Sequence, residues 1–276
     1  MKKILFLLAI LPFSSVAIGG LPAKITGLKT PESCVQAKDG NIYISEINEF
    51  GKDGDGQISK VDINGNVTIF AKDMDDPKGL VIIGDKLYVT DKTRILEVNP
   101  NGTWQVYVEK SAFPNVPQFL NDLEADKIGN LYVSDSGDLK SGGAIFKITK
   151  GGAVSIVADN KNPHILAPNG LLNEGRNNLL EVDFESGILY RINISTGATT
   201  KLAEGFGGGD GLVKTKSGKI IVSDWKTGKI FQLSMGKARV KKEGYKSAAD
   251  IALSYDGKTL MVPDMKAGEL DFITVE

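Results

Sequence analysis

Six polar residues stand at matched distances ahead of six recurring acids. Glu32, Lys78, Asn121, Asn169, Asp210 and Asp250 precede Glu46, Asp91, Asp135, Asp183, Asp224 and Asp264 by 14 residues, or by 13 in the second copy. If the copies are related by rotation about an axis, these six side chains form one ring around it. Three carboxylates, two amides and one ammonium make an oxygen-rich set of the kind a hard divalent cation takes, at roughly 2.3–2.6 Å for calcium. With no Cys or His among the six, the set does not read as a structural zinc site. Lys78 is the discordant member: its ammonium either opposes a cation or pairs with the acids and partly replaces one. The residues also allow a plainer reading, in which polar strand starts are simply solvated.

The elements that must position this ring are legible as a repeat. The segments Asn41–Glu46, Lys86–Asp91, Asn130–Asp135, Asn178–Asp183, Lys219–Asp224 and Thr259–Asp264 share one strand pattern, and their closing acids step by 45, 44, 48, 41 and 40 residues. Turn pairs rich in Gly, Asp and Ser precede each one, as at Asp39-Gly40, Ser217-Gly218 and Asp256-Gly257; Gly, Asn and Asp accept positive φ cheaply, as tight hairpins require. A third strand follows each acid, at Gln57–Asp62, Arg94–Asn99, Ala144–Thr149, Ile188–Asn193, Lys229–Ser234 and Glu269–Thr274, and in five copies a further turn leads to an outer strand. Each unit is therefore a four-stranded antiparallel meander of propeller-blade length. The sixth copy ends after its third strand, and Ala23–Leu28 is expected to supply the fourth, closing the ring without an open edge. The expected fold is all-β: a six-bladed β-propeller closed by an N-terminal strand, one domain spanning residues 18–276.

Composition agrees. Of 276 residues 32 are Gly, an excess that many tight turns explain, and 41% apolar content supplies a real core and rules out disorder. A net charge of −1 gives no field that would draw the chain to nucleic acid or an anionic membrane. Residues 1–17 read as a signal peptide: Met1-Lys2-Lys3 is basic, Ile4–Leu11 apolar and too short to span a bilayer, and Ser15-Val16-Ala17 a small-x-small cleavage site. No second apolar run suggests a membrane span. The expectation is an exported protein, periplasmic or secreted and monomeric, with one cysteine, Cys34, and hence no internal disulfide.

At the ring the chain resembles the SMP-30/gluconolactonase/luciferin-regenerating propellers. The matching motifs are Pro31-Glu32-Ser33, Asn121-Asp122, Pro168-Asn169-Gly170-Leu171 and Gly209-Asp210-Gly211-Leu212, each opening the corresponding blade. The resemblance implies that Glu32, Asn169 and Asp210 ligate a divalent metal, calcium first, and that Asn121 contacts metal-bound water or substrate. Lys78 and Asp250 would modify the ring. The sequence departs from the family in blade three, where its lactonases usually carry Arg-x-Asn-Asp and this chain reads Phe119-Leu120-Asn121-Asp122. The metal cradle is retained and the sugar clamp lost, which disfavours gluconolactone and favours a less polar substrate, or none. The repeats also resemble NHL repeats, as in Pro77-Lys-Gly-Leu-Val followed by Leu87–Asp91.

Other motifs carry less. Asp53-Gly54-Asp55-Gly56 looks like the middle of an EF-hand loop, but its first position is Gly51 and its twelfth Asp62, and helices are not expected there. The lone His164 has no Ser or Cys motif beside it, so a nucleophilic triad has no support. Cys34 is expected to be a buried, inert thiol. Gly207-Gly208-Gly209 lacks the helix and Lys of a phosphate loop and reads as a connector. Trp225 either lines a pocket mouth or caps its blade.

Two functions remain. One is a divalent-metal-dependent hydrolase of a lactone or similar cyclic ester, with Asp210 as metal ligand and proton acceptor and Asn121 orienting the water or ester; no better base lies nearby. The other is a non-catalytic NHL-like propeller that binds a small molecule or protein at its rim, favoured by the missing Arg and by Lys78.

Overall fold

The computed structural model describes residues 21–275; the signal-peptide reading of residues 1–17 lies outside them. Five four-stranded meanders follow one another along the chain. Blade one is β2 (Pro31–Gln36), β3 (Ile42–Glu46), β4 (Gly56–Val61) and β5 (Val67–Met74). Blade two is β6 (Pro77–Ile83), β7 (Lys86–Asp91), β8 (Arg94–Val98) and β9 (Trp104–Val108). Blade three is β10 (Leu120–Ala125), β11 (Leu131–Asp135), β12 (Ala144–Ile148) and β13 (Val154–Asp159). Blade four is β14 (Pro168–Gly175), β15 (Asn178–Asp183), β16 (Ile188–Asn193) and β17 (Thr199–Glu204). Blade five is β18 (Gly209–Lys214), β19 (Ile220–Asp224), β20 (Lys229–Ser234) and β21 (Lys237–Glu243).

The sixth sheet joins the two ends of the chain. Its strands β22 (Ala252–Leu253), β23 (Thr259–Asp264) and β24 (Glu269–Thr274) are completed by β1 (Lys24–Thr26), which pairs Lys24 with Asp271 and Thr26 with Glu269. Inner strands of successive blades touch all the way round, and β2 meets β22 and β23 to close the circle. There is no α-helix among the described residues, and none is long and apolar enough to cross a membrane. The core lies in wedges between adjacent blades: Ile58, Met74, Leu80, Val89 and Leu96 between the first and second, Leu180, Val182, Leu189, Phe206, Leu212 and Val222 between the fourth and fifth. Alternation along each strand sends one side chain into each neighbouring wedge, so blades are buried on both faces.

The closing acids that mark the repeat are buried, and each holds the loop that leads into its own blade. Asp91 accepts the N–H groups of Asp75 and Asp76 at 2.9 Å each. Asp135 accepts those of Gln118 and Phe119, the latter at 2.7 Å. Asp183 takes Leu166 and Ala167, Asp224 takes Gly208, Asp264 takes Lys246 and Ser247, and Glu46 takes Lys29. A carboxylate bonding two backbone donors is charge-assisted and fixes both in place. The acid at the end of the second strand thus anchors the start of the first, where the ring residues lie.

Candidate functional site

In five blades the pairing between first and second strand slips at the ring position: between Pro31 and Cys34, Pro77 and Leu80, Leu120 and Leu123, Pro168 and Leu171, and Gly209 and Leu212. A bulge re-aims the side chain it carries. Here it turns Glu32, Lys78, Asn121, Asn169 and Asp210 to the axis, where all five line one cavity of about 450 Å³. The residue after each ring member sets how closely the inner strands can approach. A Cβ at Gly170 would stand 2.1 Å from the Asp210 carbonyl oxygen, and one at Gly211 would stand 2.2 Å from the Ile251 nitrogen. The Asn-Gly and Asp-Gly pairs are therefore required by backbone contact between blades. Blades one and three carry side chains there instead and bond across the gap: Ser33 Oγ donates to Asp250 at 2.5 Å, and Asp122 accepts the Leu171 N–H at 2.5 Å.

Asp250, the sixth expected member, is absent from the cavity lining. Its carboxylate is taken by Ser33, and its N–H bonds the Glu32 carbonyl at 3.0 Å. It therefore acts on the ring through its charge, from behind. The other five are buried, and four present oxygens with no hydrogen-bond partner: Glu32 Oε2, Asn121 Oδ1, Asn169 Oδ1 and Asp210 Oδ1. Asn121 is oriented by its amide nitrogen, which donates to Ser136 Oγ at 3.1 Å, and Ser136 donates on to the Pro168 carbonyl at 2.8 Å. That leaves the Asn121 oxygen for the cavity.

Burial raises the carboxyls of Glu32 and Asp210 well above the usual range. The charge of Asp210 adds to the rise at Glu32, and those of Asp250 and Asp122 add to it at Asp210. Burial also pushes Asp122 up to about 6 and Glu124, two residues on in β10, up to about 8. Unpaired buried acids of this kind are costly unless a cation compensates them. The donor set fits a hard divalent ion: two carboxylate and two amide oxygens that nothing else uses. Among the described residues no three His, Cys, Asp or Glu side chains group as a metal site, because half of these donors are amides.

Lys78 makes no direct bond to these acids, although its charge lowers the Glu32 carboxyl against the effect of burial. Its ammonium donates to the Asp76 carbonyl at 3.1 Å and lies 4.2 Å over the Phe119 ring, and among the described residues it is in no ion pair. Burial pushes this ammonium's pKa down, against the pull of Asp76 and Glu32. The aromatic residue at the position of the family's Arg is thus the platform for a buried lysine. Lys78→Met keeps the stem and leaves the Asp76 carbonyl bonded to Lys92 N–H at 3.2 Å, so the fold is expected to survive. Losing the like charge is expected to tighten calcium binding by about one to two orders of magnitude in isothermal titration. Unchanged affinity would show that Lys78 does not act on the site.

The walls above this polar floor are Ile47, Phe50, Phe119, Leu139, Phe184, Trp225 and Met265. Reasoning from the sequence left most of them out, although a signal existed. The residue after the closing acid is Ile47, Phe184, Trp225 and Met265 in four of the six blades. Trp225 lines the mouth, its indole N–H 3.1 Å from Met265 Sδ.

The remaining motifs lie elsewhere. His164 is exposed and stacks on Tyr190, with Nδ1 2.7 Å from Thr199 Oγ1, and none of the three lines the ring cavity. Cys34 is buried, its thiol pushed up by burial. The Asp53–Gly56 loop joins two strands, with Asp53 paired to Lys92. Gly209 opens β18 against the Val182 side chain.

No family model matches the chain, and no curated protein matches it in sequence. Solved structures do match. The calcium-binding protein regucalcin from Agrobacterium tumefaciens superposes with a TM-score of 0.75 at 16% identity, covering 95% of this chain and 96% of that one. A putative gluconolactonase gives 0.72 at 17% over 93% and 94%. Luciferin-regenerating enzyme gives 0.72 at 15% over 90% and 91%. In its six-bladed fold, along nearly its whole length, the chain is similar to the SMP-30/gluconolactonase/luciferin-regenerating propellers.

Proposed function

We propose that the protein is an exported member of that family and a divalent-metal-dependent hydrolase of a lactone or similar cyclic ester. The observation that carries this is the group of four buried oxygens without partners on the floor of one cavity: Glu32, Asn121, Asn169 and Asp210. Glu32, Asn169 and Asp210 would hold the ion, calcium first, and Asn121 completes the donor set. A bound divalent cation supplies electrophilic pull on an ester carbonyl and lowers the pKa of water. Asp210 accepts the proton of the attacking water, since no other free carboxylate oxygen besides that of Glu32 faces the cavity among the described residues. Asn121 orients water or ester, its amide fixed by Ser136. The apolar walls exclude water, which strengthens each polar contact on the floor.

The test is a lactone panel followed by pH-stat, with and without chelator. Ring opening that stops on chelation and returns with calcium is expected. A protein that binds calcium tightly and opens no lactone would sink the hydrolytic reading. The second reading, a non-catalytic rim binder, is favoured by Phe119 and Lys78 standing where a polar substrate would be clamped. It predicts ligand binding with no turnover.

A further inference from the structure

The cavity does not end at its walls. Phe50, Trp225 and Met265 also line an adjoining groove that runs out past Leu28, Thr30 and Lys266 to Gly268, between the sixth and first blades. A ligand seated on the polar floor and longer than the cavity would meet this groove past those three shared side chains. Two lysines stack on these walls, Lys226 within the cavity lining and Lys266 within the groove. The ammonium of Lys226 lies 4.4 Å over Phe184, and that of Lys266 lies 4.0 Å over Trp225; such contacts orient the rings.

Leu139 faces the cavity from the opposite side, and its backbone is strained to do so. It sits at φ 66, a left-handed conformation that a branched apolar residue rarely adopts. The turn enforces it: Leu139 N–H bonds the Ser136 carbonyl at 2.9 Å, and Asp138 accepts the N–H groups of Lys140 and Ser141 at 3.0 and 2.7 Å. Strain of this kind persists where the surroundings over-determine it. A polar substrate gains nothing from a leucine forced into its pocket.

Resting on the hydrolytic reading of the floor, we infer that the substrate is an amphipathic lactone or ester with a linear apolar arm, not a polyhydroxylated sugar lactone. The ring sits on Glu32, Asn121, Asn169 and Asp210. The arm passes between Leu139 and Phe184 and leaves along Trp225, Met265 and Phe50. Leu139 is the specificity-determining residue, because its branched side chain lines the cavity that the arm must cross.

The experiment uses 5-alkyl-γ-lactams, whose amide ring resists hydrolysis, with arms of two, five and eight carbons. They are titrated calorimetrically into the calcium-loaded protein. The fluorescence of Trp225 is read in parallel in a Trp104→Phe background, since the chain has 2 Trp. Affinity is expected to rise about three- to fourfold per methylene, as buried hydrocarbon does, with a Trp225 shift that grows with the arm. Leu139→Gly relaxes the backbone, so the fold is retained; it is expected to cost the eight-carbon lactam about tenfold and the two-carbon one almost nothing. Equal affinity along the series, tighter binding of a polyhydroxylated lactam, or a slope without a Trp225 response would overturn the inference. Lactones cleaved without arm preference would leave hydrolysis standing and this substrate class refuted. An arm-length slope with no lactone cleaved would do the reverse.

Discussion

A variant beginning at Pro31 is expected to lose cooperative thermal unfolding. Strand β1 is three residues long, yet it pairs with β24 through Lys24, Ile25 and Thr26, and Leu28 N–H bonds the Gly268 carbonyl at 3.0 Å. The same segment buries Leu21, Ile25 and Leu28 in a core shared with Cys34, Ile42, Ile44, Met261 and Leu270. At about 1.5–3 kcal/mol per fully buried aliphatic side chain, those three contribute roughly 5–9 kcal/mol. That is comparable with the whole stability of an ordinary domain, about 5–15 kcal/mol. Their loss also bares the outer edge of β24 and cuts the tie between the last blade's outer strand and the first blade, leaving only the inner-strand contacts of β2 with β22 and β23. The measurement is calorimetry beside the full chain. A sharp transition within a few degrees of the full chain's would show that another segment closes the ring.

Saturating calcium is expected to raise the melting temperature by about 5–10 °C. An ion at a hundredfold its Kd adds about 2.7 kcal/mol to a native state that alone binds it, and a chain of this size gains about 2–4 °C per kcal/mol. Asp210→Ala is expected to abolish that shift without unfolding the protein. Asp210 Oδ1 has no partner, and burial together with Asp250 and Asp122 already disfavours its charge. Removing it relieves that penalty, so the variant without calcium should melt at or above the wild type without calcium. A full calcium response in the variant would place the ion elsewhere. The first alternative is the loop from Asn48 to Gly56, where Asn48 Oδ1 and Asp55 Oδ1 are also buried without partners.

The sequence by itself determined the blades and their number. Alternating apolar strands, turn pairs and acids at steps of 40 to 48 residues are local signals, repeated often enough to align one another. The same counting placed five ring residues correctly about the axis, since a repeat maps equal offsets to equal positions. It also located the closing strand, because a missing fourth strand and an unassigned N-terminal one must pair. Family resemblance named which of the ring residues would ligate a metal.

What offsets could not decide was where side chains turn once blades pack. Asp250 obeys the spacing, yet its carboxylate is claimed by Ser33 from the neighbouring blade, a contact 217 residues away in sequence. Lys78 was equally open between opposing a cation and replacing one. Only the tertiary structure shows that its ammonium bonds the Asp76 carbonyl and lies over Phe119 rather than bonding a carboxylate. The closing acids marked the period without revealing that each pins the loop entering its own blade. The apolar walls, too, come from five different blades and converge only in the closed ring. Strand pattern and turn chemistry act over a few residues and survive in the sequence. Hydrogen-bond partners and cavity walls are set by blades packed across the axis, so the tertiary structure alone decided them.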